Sequence, residues 1–99
     1  MMTQEFHAAT LTGRVVATPS LSRERPDRPT RTTFWLAGRH SGKRIKVHAV
    51  EEVASAVCDS LRRGDVVTVS GVVRDRCFRE RVYRILELDS FRVHPRDAA

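Results

Sequence analysis

One amphipathic segment constrains the fold of this chain more than any other feature. The stretch VEEVASAVCDSL (residues 50–61) repeats apolar side chains at spacings of three and four, which predicts a helix with one apolar stripe. Glu51 and Glu52 lie in its first turn, and Gly64 is predicted to end it after a pair of arginines. The rest of the chain lacks this period, so we expect a single helix.

The segments on both sides of the helix alternate apolar and polar residues, as half-buried strands do. Strands are predicted at residues 6–16, 31–39, 43–50, 65–76 and 81–93. Gly13 and Gly71 lie inside two of them; Gly13 predicts a bulge or tight bend, and Gly71 predicts a bend. A helix between the third and fourth of five strands is typical of the OB fold, a partly open Greek-key barrel. We therefore predict an all-β, five-stranded OB-fold barrel; the alternatives are an SH3-like barrel, which lacks the helix, and an unrelated α+β sheet.

The length of the chain, 99 residues, fits one domain and is too short for two ordinary cores. We expect a single domain over residues 1–95, followed by a short tail at residues 96–99. The N-terminal MMTQEFHAAT lacks the basic flank and apolar stretch of a secretory signal, and no apolar run is long enough for a membrane span. A cytoplasmic, nucleoid-associated protein without a membrane partner is expected.

The charge of the chain points to an anionic partner. Its net charge is +6, and all but Lys43 and Lys46 of its 18 cationic side chains are arginines. Such a balance favours a polyanion, most commonly nucleic acid, although arginine also serves solubility alone. Four of these arginines fall in the proline-rich loop predicted over residues 18–31, where they could close over a bound strand: Arg23, Arg25, Arg28 and Arg31.

The predicted second and third strands place an aromatic ring beside cations. Phe34 and Leu36 share the face that is expected to be buried, so Trp35 is predicted to point outwards. Burying the aliphatic residues of the third strand leaves three polar side chains on the same outer surface: Arg44, Lys46 and His48. Sequence-tolerant binding of a single nucleic-acid strand needs such a combination of cations and stacking faces. The alternative for Trp35 is a buried core indole.

A second group of candidates lies around the end of the fourth strand. Arg74 and Arg76 are predicted to contact phosphates or to stack on bases, and Arg14 of the first strand is predicted to face outwards with them. Phe78 is a second candidate stacking face, or else it packs the hairpin onto the barrel. Tyr83 could stack on a base or form one half of a cross-strand pair, and the pair is favoured.

The chain carries no pattern of catalytic or metal-binding residues. Cys58 and Cys77 form no CxxC motif, and the four histidines lack the spacing of metal ligands. No phosphate-binding loop, nucleophile motif or paired carboxylates were found. We expect no cofactor, no metal, no small-molecule substrate and no enzymatic activity.

Three stretches together resemble the bacterial single-stranded DNA-binding protein family. They are LTGRVVATPSL (residues 11–21), TFWLA (residues 33–37) and LRRGDVVTVSGVVRDRCF (residues 61–78), the last being the most specific. The resemblance spans residues 10–93 in the family's order. It implies an OB fold, single-stranded DNA as partner, a role in DNA replication, repair and recombination, and homo-oligomers, either dimers or tetramers.

The chain departs from the family pattern at several points. Val50 and Glu51 stand where members usually carry an aromatic residue and a glycine, and Arg44 stands where many carry a stacking tryptophan. The hairpins are shorter, and the acidic C-terminal tip that recruits partner proteins is absent from these residues. The departures favour a short, actinobacterial-like paralogue or a phage or mobile-element version. They also leave open a single-stranded RNA binder, or an OB-fold module for protein interaction or assembly.

Overall fold

Alternation of apolar residues closes five strands into a barrel. The computed structural model describes residues 6–22, 30–38 and 42–95, without the side chains of Phe6 and Phe78. The elements are β1 (Phe6–Val15), β2 (Arg31–Gly38), β3 (Arg44–Val50), α1 (Glu51–Ser60), β4 (Val66–Phe78) and β5 (Arg81–Val93). The strands follow the order β1-β2-β3-β5-β4, and the pair β3–β5 is parallel whereas the others are antiparallel. The predicted all-β barrel with its one helix between β3 and β4 is confirmed.

The core is formed by the inward side chains of the barrel and one stripe of α1. Phe34 and Leu36 of β2 are 3% and 2% exposed, as predicted from their parity. From α1, Ala54 and Val57 are buried, and the helix packs against β2, β3 and β5. None of the helices in the described residues is long and apolar enough to cross a membrane.

The two strand glycines serve different purposes. At Gly13 a bulge was one of two predicted alternatives, and it is excluded because pairing with β4 runs through this residue without a shift. A β-carbon there would lie 2.5 Å from the carbonyl oxygen of Ala37. Glycine is required at this position because the β2 backbone passes so close. At Gly71, where the sequence predicted a bend, the β4–β5 register shifts between Ser70 and Gly71.

The helix ends earlier than the sequence suggested. α1 stops at Ser60, and Gly64 lies beyond it in a turn at φ 91°. The buried Asp65 accepts the backbone N–H of Arg62 at 2.9 Å and holds this turn closed. The guanidinium of Arg62 donates to the carbonyl oxygen of Cys58, also at 2.9 Å. The positive charge that was predicted to face the C-terminal end of the helix dipole is therefore supplied by Arg62, which lies just beyond the helix.

β4 runs further than predicted, to Phe78, and forms a tight hairpin with β5, which has its predicted bounds. Their pairing continues to Phe78 opposite Arg81, so only Arg79 and Glu80 remain in the turn. These two residues have φ values of 49° and 64°, and such paired positive values match the twist of a two-residue hairpin. Residues that the sequence assigned to a loop are therefore held by strand pairing.

Glu51 begins α1 with a φ of 56°, in the left-handed region that favours glycine. The variant Glu51→Gly should remove this strain and raise the free energy of unfolding by about 0.5–1 kcal/mol. Glu52→Gly is the matched control, since it also removes a first-turn carboxylate but from a position without positive φ. It should lower the free energy of unfolding by about 0.5–1 kcal/mol. Urea denaturation measures both, and equal destabilisation by the two variants would contradict the prediction.

Candidate nucleic-acid interface

The registers of four strands align an aromatic and three other outward side chains in one lateral row. Trp35 of β2 lies opposite Lys46 of β3, Lys46 lies opposite Ile85 of β5, and Ile85 lies opposite Arg74 of β4. The indole is 45% exposed, which confirms its predicted outward orientation. We call this set the tryptophan row. Neighbouring strands are spaced by about 4.8 Å, so the row spans roughly 14 Å across the barrel.

A second row lies beside the first on the same outer surface. His48 of β3 lies opposite Thr33 of β2 and Glu87 of β5, and Glu87 lies opposite Val72 of β4. We call this set the glutamate row. The two rows together form the face that carries Trp35, Lys46, His48 and Arg74, and we call it the basic face.

Two adjoining grooves lie on the basic face. The larger groove, of about 720 Å³, is lined by Trp35 and Arg44 at one side and by Tyr83 at the other. The smaller, of about 200 Å³, includes Arg31 and His48. Both grooves are lined by Lys46, Arg76 and Ile85, so they form one continuous depression. An elongated ligand with flat and anionic parts fits such a surface.

Two cations of the depression have no acidic partner within the described residues. Arg44 is exposed and Lys46 is half-buried, and neither forms an ion pair there. Their charge is therefore available to an anionic ligand. Arg84, which also lines the larger groove, pairs with Asp75 at 3.3 Å.

Arg74 and Arg76 both reach the carboxylate of Glu87. Arg74 Nε lies 3.5 Å from Glu87 Oε2, and an Arg76 terminal nitrogen lies 3.5 Å from Oε1. The two arginine side chains are 45% and 61% exposed, and that of Glu87 is 31% exposed. The predicted cations are thus brought to the basic face, but a carboxylate that the sequence reasoning missed lies between them.

His48 does not carry the positive charge that its position suggested. Burial lowers its pKa below the ordinary 6.5, the positive charges of Arg76, Arg31 and Lys46 lower it further, and Glu87 opposes them. The imidazole is therefore neutral at neutral pH. It contributes hydrogen-bonding capacity to the face instead of a fixed charge.

The other predicted residues lie outside the grooves or outside the described part of the chain. Arg14 is exposed on β1 opposite Ala37, but it lines neither groove. The side chain of Phe78 lies outside the described residues, and so do three of the loop arginines: Arg23, Arg25 and Arg28. Arg31 is the exception among the loop arginines: it is the first residue of β2, not part of a loop, and it lines the smaller groove.

Three groove or near-groove residues were not among the predicted site residues. Tyr83 lies opposite Arg76, as a cross-strand pair requires, and yet it is 42% exposed and lines the larger groove. Ile85 supplies an apolar floor between Lys46 and Arg74. The alternation Tyr83, Ile85, Glu87 along β5 was a signal that these three side chains share one face.

Three solved structures are similar to this chain. One is the single-stranded DNA-binding (SSB) domain of a protein from Synechococcus sp., with a TM-score of 0.71, 25% identity, and coverage of 89% of this chain and 93% of that one. Another is the second single-stranded DNA-binding protein from Mycobacterium smegmatis, with a TM-score of 0.75, 22% identity, and coverage of 88% and 84%. The single-stranded DNA-binding protein from Thermus aquaticus has a TM-score of 0.77 and 24% identity; the match covers 93% of this chain but only 42% of that protein. No protein-family model and no curated protein sequence matches the chain.

The lowered pKa of His48 makes the stability of the barrel depend on pH. As the pH falls below about 6.5, the unfolded chain takes up a proton at His48 before the folded chain does, so stability is lost. The free energy of unfolding should therefore fall more for the wild type than for His48→Gln between about pH 7.5 and pH 5.5. Parallel profiles, or an NMR titration midpoint of His48 at or above 6.5, would contradict this assignment.

Proposed function

We propose that this chain belongs to the bacterial single-stranded DNA-binding OB-fold family and that it binds single-stranded DNA with little sequence preference. The tryptophan row is the observation that carries the proposal. It places an exposed indole, a cation without an acidic partner among the described residues, an apolar floor and an arginine side by side. Binding requires no chemical step.

Stacking on Trp35 supplies the base contact. Its exposed face borders the larger groove, and Tyr83 lies at the opposite side of the same groove. Every base has a π-face, so stacking tolerates any sequence, and one stacked base contributes about 1–3 kcal/mol. Two aromatic side chains at the two sides of one groove suit two unstacked bases. Phe78 remains a predicted third stacking face.

The phosphates follow the cations of the basic face. Arg44 and Lys46 supply charges that no described carboxylate neutralises, and Arg76 lines both grooves. Arg14 is assigned the same role at the edge of this path, beyond the groove. Salt weakens such contacts because binding releases condensed counterions from the strand into solution, and this release is less favourable when the salt concentration is high.

The physiological setting follows from the partner. Binding of exposed single strands suits DNA replication, repair and recombination, and we propose this setting together with homo-oligomerisation into dimers or tetramers. Stacking and phosphate contacts alone do not select a deoxyribose over a ribose. A comparison of oligo(dT) with oligo(U) therefore forms part of the test below.

Replacing Trp35 should weaken DNA binding without unfolding the barrel, since its side chain lies outside the core. We expect Trp35→Ala to raise the Kd for oligo(dT) by about 5- to 150-fold, the equivalent of one lost stacked base. Trp35→Phe should retain most of the affinity. Fluorescence anisotropy of labelled oligo(dT), oligo(U) and duplex at two salt concentrations gives the affinities. Circular dichroism confirms the fold of each variant.

The wild type supplies an independent signal, because Trp35 is its one tryptophan. Oligo(dT) should quench its emission. If emission is unchanged and no oligonucleotide is retained at low salt, the proposal is wrong and a protein-interaction module takes its place. Tighter binding of oligo(U) than of oligo(dT) would assign the surface to RNA.

The salt dependence should identify the cations that bind phosphate. Each phosphate that a variant no longer neutralises on a single strand should reduce the slope of log K against log salt by about 0.7. We expect this reduction for Lys46→Gln, and a smaller one for Arg14→Gln at the edge of the path. The same slopes should appear with oligo(dT) and oligo(dC). An unchanged slope for Lys46→Gln would show that Lys46 contacts no phosphate and would contradict a phosphate path along β3.

A further inference from the structure

Glu87 occupies the centre of a cationic cluster on the basic face. One carboxylate oxygen faces Arg74 and the other faces Arg76, both at 3.5 Å. The residue also lies opposite His48 and interacts electrostatically with it. These contacts place one negative charge within reach of two positive charges, at a point where the proposed DNA path needs positive charge.

The geometry of the cluster resembles the recognition of a phosphate. A phosphodiester also presents two oxygens that carry negative charge, and two arginines that each meet one oxygen are a common way to hold them. The carboxylate of Glu87 meets the two arginines in this manner. Because the 3.5 Å separations are long for charge-assisted hydrogen bonds, the pairs are weak and open to competition.

Arg76 connects this cluster to the grooves. Its backbone lies opposite Tyr83, four residues before Glu87 on β5, so its side chain must run along the face past Ile85 to meet the carboxylate. Both grooves are lined by Arg76. Release from Glu87 would leave its guanidinium beside the groove that contains Trp35.

We propose that Glu87 is a resident anion in a phosphate subsite formed by Arg74 and Arg76, and that a DNA phosphate displaces its carboxylate to bind there. This inference rests on the proposed function, since it names the site at which one phosphate of the strand is held. In the free protein Glu87 offsets the mutual repulsion of the two arginines. In the complex it becomes a competing charge that weakens binding and limits the salt dependence.

Removal of this charge tests the proposal. Glu87→Gln keeps the shape of the side chain and should bind oligo(dT) about 5-fold more tightly than the wild type, the equivalent of losing two weak surface ion pairs as competitors. The slope of log K against log salt should steepen by about 0.7 for each additional phosphate that the freed arginines neutralise. Anisotropy titrations over a series of salt concentrations measure both quantities.

Asp89→Asn is the matched control. Asp89 is exposed on the same strand and makes no ion pair with the described residues, and its substitution changes the net charge by the same amount. It should change the affinity by less than about 2-fold, since an exposed charge that is not paired is screened. In the double variant Arg74→Gln/Arg76→Gln, the further change Glu87→Gln should give no more gain than Asp89→Asn.

The possible results separate this inference from the proposed function. If the wild type binds and Glu87→Gln gains no more affinity than Asp89→Asn, the subsite is wrong and the proposed function stands. If Glu87→Gln binds more weakly than the wild type, Glu87 orients the arginines for binding and the competition is refuted. If neither the wild type nor any variant retains oligo(dT) at low salt, both proposals fail together.

Discussion

The β4–β5 pairing is the constraint on which the basic face depends. It places Arg74 opposite Ile85 and Arg76 opposite Tyr83, and its register shifts by one residue between Ser70 and Gly71. A shift of one residue exchanges the two faces of a strand. Without it, the pairing that matches Val69 with Phe91 would continue to match Val73 with Glu87 and would turn this carboxylate into the core. The bulge therefore puts Leu86 and Leu88 inside and Glu87 outside among the arginines. Gly71 permits the shift because a β-carbon there would overlap the carbonyl oxygen of Glu87.

Most of the fold could be predicted because it depends on local patterns. The alternation of apolar and polar residues predicted the strands, and the apolar stripe of residues 50–61 predicted the helix between β3 and β4. The parity of Phe34 and Leu36 also placed Trp35 outside correctly. The shift in β5 left a trace in the sequence too: its inward apolar residues are spaced by two, then three, then two, at Leu86, Leu88, Phe91 and Val93.

The parts that failed depend on distant pairing or on backbone conformation. Glu87 was missed because its role arises from its neighbours on β3 and β4, and the register of strands far apart in the chain cannot be read from either strand alone. The predicted loop before Arg81 is shortened to a two-residue turn, and Cys77 and Phe78 belong to β4 instead. Arg79 and Glu80 form this turn with positive φ values, which their residue types do not predict. Glu51 is a similar case. The sequence showed only that Glu51 stands where members of the similar family usually carry a glycine, and the structure shows that the backbone at this position is left-handed.

The basic face combines cations of two kinds, and this combination suits a binder that must also release its strand. Arg44 and Lys46 act through charge that the described carboxylates leave available, whereas Arg74 and Arg76 are already engaged with Glu87. A row of wholly unpaired arginines would bind a polyanion more tightly, but it would repel itself in the free protein. An internal carboxylate reduces that repulsion and offers each arginine an alternative partner whenever a phosphate leaves. His48, held neutral beside the same carboxylate, adds no further positive charge. Affinity on this surface is therefore set by exchange between two anions, one supplied by the protein and one by the nucleic acid.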